Sequence, residues 1–228
     1  MDKIFKIGLL VLGFSSYYSI NLIRRIHMRK YLLHVLIISF VFLLAAAAQA
    51  ASYEAGKRHR AEKELEDAKE EVRNNPDDAD AHIGLGVTYG DAANWNEAIA
   101  SFKQAIKLDP DNDAMGALAH FGLCSAYFNL GMYKEAIESG KQAIRIDPDY
   151  RGAHAGLGIA YGSLGMHKES IEPFKQAIRI DPDNVAAHTA LGIAYYSLGD
   201  KSSALEQYKI LKKLDAEMAD LLFNLIYK

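Results

Sequence analysis

Four histidines, His82, His120, His154 and His188, recur at spacings of 38, 34 and 34 residues. Imidazoles at a fixed interval raise the question of a metal site, because zinc binds neutral histidine nitrogen. Zinc ligands must converge within about 2 Å of one ion, whereas equivalent positions on stacked helices stand about 8–10 Å apart. The four histidines are therefore expected to fill a large packing position, and no metal is expected. Asp109, Asp111 and Asp113 imitate the opening of a calcium loop. That loop needs glycine at its sixth position and glutamate at its twelfth, where this chain has Ala114 and His120. Gly84-Leu85-Gly86 with Gly90, and Gly156-Leu157-Gly158 with Gly162, look like phosphate loops but fall inside helical patterns, not between a strand and a helix. A single cysteine, Cys124, excludes an intramolecular disulfide and a cysteine metal cluster. No nucleophile stands at a recognisable spacing from a base, and no carboxylates pair outside turns. The expectation is no enzyme, no cofactor, and no catalytic or metal-ligating residue.

The elements around these residues carry more information. The chain has 228 residues, half hydrophobic and 24% charged, enough for one ordinary core. The first 50 residues hold six Lys and Arg and one acidic residue, which leaves 20 cationic against 28 anionic residues, a net −8, in the remainder. A mildly acidic body without a basic stripe lacks the footprint of nucleic-acid binding.

From Met28 the chain shows a short basic start, an apolar run from Leu32 to Leu44, and small residues at Ala48 and Ala50. This is the layout of a secretory signal cleaved before Ala51, and residues 28–50 are read as a signal peptide or a membrane anchor. Residues 1–27 hold a second apolar stretch, Ile7 to Ile23, broken by Ser15, Ser16 and Ser19. Because Met28 begins a complete signal by itself, 1–27 are expected to be an untranslated upstream extension. Read as translated, they supply an extra apolar helix in a hairpin. Its basic loop, Arg24, Arg25, Arg29 and Lys30, would stay cytoplasmic and leave the rest outside. The expected location is extracytoplasmic, either periplasmic or secreted after cleavage, or anchored with the folded part outside.

Internal self-similarity is the strongest signal. Pro76, Pro110, Pro148 and Pro182 are spaced 34, 38 and 34 residues apart, three of them inside Asp-Pro-Asp. Between them each unit holds two helix-period apolar patterns separated by a break such as Asn129-Leu130-Gly131 or Ser163-Leu164-Gly165. A glycine such as Gly86, Gly158 or Gly192 costs a helix roughly 1 kcal/mol relative to alanine, so its recurrence calls for close approach of the partner helix.

In a fixed order of large, small, aromatic, small, aromatic, small and proline, the first unit reads Leu85, Gly86, Tyr89, Ala98, Phe102, Ala105, Pro110. The third reads Leu157, Gly158, Tyr161, Ser170, Phe174, Ala177, Pro182, and the fourth Leu191, Gly192, Tyr195, Ala204, Tyr208, Leu211, Ala216. The second, Leu123, Cys124, Tyr127, Ala136, Gly140, Ala143, Pro148, follows four extra residues, Asp113 to Gly116, which should lengthen a turn or its first helix. These positions resemble the tetratricopeptide repeat family, whose 34-residue unit is an antiparallel helix pair. The resemblance implies an all-α solenoid wound as a right-handed superhelix, with repeats at 79–112, 117–150, 151–184 and 185–218. Residues 51–78 read as a charged linker or capping helix with an apolar seam of Leu65, Ala68 and Val72. Residues 219–228 read as a terminal cap through Leu221, Leu222, Leu225 and Ile226. Pro173, about seven residues into a second helix, is expected to kink it.

In that family the first helix of each unit lines a concave surface that holds a partner segment. Matching positions here are Asp80, Ile83, Val87 and Asp91; Leu118, Phe121, Ser125, Phe128 and Asn129; Ala155, Ile159 and Ser163; and Thr189, Ile193, Tyr196 and Ser197. The set holds no lysine or arginine, which disfavours capture of a carboxylate terminus and favours an apolar or amphipathic protein segment. The resemblance thus implies a non-enzymatic interaction scaffold or adaptor outside the cytoplasm. The other reading is a permanent structural subunit of an envelope assembly such as a secretion, pilus or cell-wall apparatus.

Overall fold

The computed structural model describes residues 49–53, 55–110 and 113–227. The expectations for 1–27, and all but the last two residues of 28–50, lie outside them. No described helix is long and apolar enough to cross a membrane. The chain divides into two units, Met1–Arg60 and Ala61–Lys228. In the first, residues 49–53 and 55–60 are helical.

The second unit opens with helical residues 61–74, here α1. Nine helices follow: α2 (Ala79–Asp91), α3 (Trp95–Leu108), α4 (Asp113–Asn129), α5 (Tyr133–Ile146), α6 (Arg151–Ser163), α7 (His167–Ile180), α8 (Val185–Ser197), α9 (Lys201–Leu214) and α10 (Ala216–Tyr227). No strand occurs among the described residues. The four extra residues became one more helical turn at the start of α4, which has 17 residues where α2, α6 and α8 have 13. Helix α7 runs unbroken through Pro173, whose ring is buried.

Chemistry at the breaks sets the helix pairing. After α4, the Gly131 N–H reaches the Phe128 carbonyl and the Met132 N–H the Tyr127 carbonyl, and the same two bonds recur after α6 and α8. This crossed pair ends a helix by turning one residue left-handed. Gly131, Gly165 and Gly199 take that conformation at φ 74, 78 and 79°, while Ala93 takes it in the first unit at φ 56°. The chain reverses within three residues, so each second helix folds back along its first.

Glycines bring the paired helices together. A Cβ on Gly86 would lie 2.8 Å from the Phe102 ring, and one on Gly158 would lie 2.6 Å from the Phe174 ring. The ring of each second helix thus sits where the first helix has no side chain. In the fourth unit, Leu222 from α10 fills the space against Gly192. The second unit inverts the arrangement: Cys124 replaces the glycine, Gly140 replaces the ring, and the Cys124 Sγ reaches within 3.4 Å of where a Gly140 Cβ would stand. Around these locks lie three apolar clusters, centred on Phe102 and Leu123, on Cys124 and Leu157, and on Leu211 and Leu222. No single pair closes its own core.

The histidines tie each unit to the turn before it. The Nε2–H of His82, His154 and His188 donates to the carbonyl of Pro76, Pro148 and Pro182 at 3.0, 2.8 and 2.9 Å. His120 stands apart, because the inserted turn places Pro110 ten residues before it and puts its own i−6 carbonyl inside α4.

Candidate functional site: the open face of the first helices

Contacts between helices fix which side of the array is concave. Each first helix packs on the next, α2 on α4, α4 on α6, α6 on α8 and α8 on α10, whereas α3, α5, α7 and α9 do not meet one another. Elements that touch lie inside a curve and elements that splay lie outside it, so α2, α4, α6 and α8 line the inner side.

The structure sorts the sixteen sequence-selected residues into three groups. Asp80, Val87, Asp91, Asn129, Ile159, Ser163, Ile193 and Ser197 are exposed. Of these, Val87, Ile159 and Ile193 share one register position and are 41, 43 and 42% exposed, a large fraction for aliphatic side chains. Ser125 holds that position in α4. Leu118, Phe121, Ser125, Phe128, Ala155, Thr189 and Tyr196 are half-buried.

Ile83 is a correction. It is 3% exposed and packs in the core with Ile99, Phe102 and Leu123, so it offers nothing to a guest. Its register position turns toward the following unit, and the stacking of that unit covers it. Phe121, at the same register, is a wedge as much as a lining residue. Its ring lies 3.2 Å from where a Cβ on Gly152 would be and 3.5 Å from one on Gly156, and it meets Tyr150 edge-on at 5.3 Å. Phe128 leans on Tyr133 at 5.5 Å. The polar lining is turned inward on its own helices: Asn129 donates to the Ser125 carbonyl, Thr189 to Val185 and Ser197 to Ile193, at 2.8 to 2.9 Å.

Three residues that sequence reasoning treated only as break signals are exposed at the turns. Leu130, Leu164 and Leu198, each just before a turn glycine, are 37, 38 and 47% exposed. Their recurrence as Leu-Gly in three units was the available signal; at that place the first unit has Ala92. Arg151 is the only Lys or Arg within α2, α4, α6 and α8, and it is held by Asp181 at 2.6 Å. The second helices, in contrast, carry alternating charge. Between α4 and α5 a cleft of about 400 Å³ is lined by Tyr127, Lys134, Glu135, Glu138 and Ser139, and Lys103 lies 5.6 Å from the centre of the Tyr127 ring.

Among the described residues no three His, Cys, Asp or Glu side chains are grouped to hold a metal. Burial pushes the Cys124 thiol up to about 11, far from the range of a reactive thiolate.

Residues 79–112 match the family described as tetratricopeptide repeat, and residues 124–165 and 163–199 match its TPR repeat form. Over these residues the chain is a tetratricopeptide repeat protein, a fold that typically serves as an interaction scaffold. A crystal structure of MamA is 29% identical, covers 68% of this chain and 89% of its own, and superposes with a TM-score of 0.61. MamA 41-end from Desulfovibrio magneticus RS-1 is 21% identical over 74% of this chain and 93% of its own, with a TM-score of 0.63. YrrB, described as a TPR protein with an unusual peptide-binding site, is 20% identical over 72% of this chain and 84% of its own, with a TM-score of 0.60. The last two bear on the fold only. No curated protein sequence matches the chain.

Proposed function

We propose that this protein is a non-enzymatic adaptor that holds an apolar or amphipathic segment of a partner protein on the inner face of its first helices. The observation that carries the reading is the row Val87, Ile159 and Ile193, exposed at one register on helices that the packing places inside the curve. Covering the part of each side chain that is still exposed contributes about 1 kcal/mol apiece, so these residues act as anchors within a larger contact. The adaptor acts outside the cytoplasm, a reading supported by the basic, apolar and small-residue pattern of residues 28–50.

Affinity capture from an envelope extract, using the full chain and its Ile159→Asp/Ile193→Asp variant, tests the first claim. These side chains are exposed, so the variant should keep its helicity and lose a specific partner. A partner retained equally by both proteins rejects the inner face as its site. Co-purification at fixed stoichiometry, unaffected by dilution, would favour the permanent structural subunit over the adaptor. Sequencing the N-terminus of protein taken from the cell tests the location: a start at Ala51 supports export with cleavage, and an intact Met28 segment supports an anchor.

A further inference from the structure

Helix α10 keeps the register of a first helix. Its buried pair Ala219 and Ile226, seven residues apart, repeats Ala119 with Ala126, Ala153 with Ala160, and Ala187 with Ala194. The step from α8 is 32 residues in place of 34, because Asp215 caps α10 directly, accepting from the Glu217 and Met218 N–H groups, and no proline turn intervenes. Phe223, Asn224 and Tyr227 therefore stand where α8 has Leu191, Gly192 and Tyr195. The contacts agree: Phe223 meets Tyr208 of α9, as Leu157 of α6 meets Gly140 of α5. Cover is what differs. Leu191 is 3% exposed and Phe223 39%, and Tyr195 is half-buried where Tyr227 is 62% exposed. In units one to four a second helix lies over this side, and among the described residues none follows α10.

Charge indicates what fits there. At the joints between units a lysine of the preceding second helix approaches the tyrosine of the next first helix: Lys103 lies 5.6 Å from the Tyr127 ring, and Lys69 and Lys141 interact electrostatically with Tyr89 and Tyr161. The second helix that closes the joint brings carboxylates. Glu135 and Glu138 line the cleft beside Tyr127, and Glu97, Glu169, Glu172 and Glu206 hold equivalent places in the other units. Lys209 and Tyr227 repeat the lysine and the tyrosine at the end of the array. Lys209 is exposed and has no salt bridge among the described residues; exposed Lys212, Lys213 and Glu206 lie within about 60° of it on α9. The carboxylates of α10 are Glu217, in its first turn, and Asp220. Asp220 stands where α8 has His188, which meets Gln207 of its own second helix at 2.8 Å, so a covering helix would turn a hydrogen-bond donor toward it.

We infer that this end of the array is a partner site separate from the inner face, and that it takes an amphipathic helix of another protein in the place of a fifth second helix. The guest turns carboxylates to Lys209, apolar side chains to Phe223 and Tyr227, and a small residue to Asn224, as Gly140 faces Cys124. The α1 of a second copy does not suit. By the 34-residue period that relates Lys69 to Lys103 and Pro76 to Pro110, its Glu64 and Glu71 stand where Ala98 and Ala105 are buried, and they would be pressed onto a helix that carries Asp220.

A fluorescein-labelled peptide copying α5, residues 133–146, and its Glu135→Lys/Glu138→Lys form probe the site on the full chain by anisotropy. The parent peptide should bind, and Lys209→Glu should weaken it about fivefold at 50 mM salt while strengthening the lysine form by a similar factor. Tyr227→Ser should weaken both peptides about tenfold, and Asn224→Arg, which fills the small-residue position, should do the same. Both side chains are exposed, and circular dichroism checks that the helices persist. Ile159→Asp/Ile193→Asp should leave binding unchanged, which separates this site from the inner face. No binding of the parent peptide, or binding that ignores Tyr227→Ser and Asn224→Arg, overturns the site; binding that ignores the Lys209 exchange overturns the acidic guest. A chain that sediments as a dimer, and as a monomer once Tyr227→Ser is made, would put a second copy in place of the partner.

Discussion

Units two and three occupy equivalent places in the array and solve the same packing problem differently. Unit three sets Phe174 against Gly158 and anchors His154 to the Pro148 carbonyl. Unit two sets Cys124 against Gly140, begins with an extra helical turn, and gives His120 no proline carbonyl to hold. Both pairs set a side chain of one helix against a glycine of the other, with the sides exchanged. Cys124 is smaller than Phe174, and in unit two Leu157 of the next unit also closes on Gly140, so close packing is kept by different partners and not by one residue at each position.

Exchanging the pair tests that account most directly. Gly140→Phe would drive a ring toward the Cys124 Sγ and the Leu157 Cβ, which stand 3.4 and 3.3 Å from the position of a Cβ, and should cost about 1–3 kcal/mol. Cys124→Gly leaves a gap beside Gly140 and Gly156 and adds the helix cost of glycine, about 1–2 kcal/mol together. The double variant recreates the unit-three pattern, so urea unfolding of all four proteins should give a favourable coupling of about 1–3 kcal/mol. Simple additivity would mean that the two departures are unrelated.

This pair also shows what the sequence displays and what it hides. The prolines, turn glycines and glycine–aromatic pairs were legible because each is a local requirement, for a left-handed residue or for a close approach, repeated at a fixed period. Cys124 and Gly140 read separately as two departures, since they lie sixteen residues apart on different helices and only their contact reveals the exchange. Ile83 and Phe121 were misjudged, wholly or in part, for a related reason. Helical periodicity tells which way a residue points along its own helix, whereas the neighbouring unit decides whether that direction is open. Leu130, Leu164 and Leu198 were overlooked because turn chemistry explained the glycine beside them and left the leucine unexamined.

A smaller difference between the two units concerns acid. Burial, followed by the positive charge of Arg145, holds the His120 pKa below its usual 6.5. The folded state therefore resists a proton that the unfolded chain takes up near pH 6.5. The stability from neutral His120 is fully present above that value and declines as the pH falls below it. His120→Gln should flatten the loss of stability between pH 7 and pH 5, measured by thermal melting across that range. In unit three, His154→Ala should cost about 1–2 kcal/mol at pH 7 through the lost bond to Pro148 and lost packing. A larger pH 7 penalty for His120→Ala than for His154→Ala would reverse the assignment of the weaker anchor to unit two.

The finest test compares one glycine register across three units. Gly122 faces the Phe102 ring and Gly156 stands 3.3 Å, measured from a built Cβ, from the Cys124 Sγ, because in both cases the preceding unit packs there. Gly84 has the same register in the first unit, is exposed, and has no atom within 4 Å of a Cβ built on it. A glycine in an exposed helix interior costs about 0.5–1 kcal/mol relative to alanine, by leaving the unfolded chain more freedom to lose. Gly84→Ala should therefore raise stability by that amount, a shift of a few degrees in the melting temperature, while Gly122→Ala lowers it. If the two substitutions moved stability in the same direction, the register would not be governed by the stacking of the unit before it.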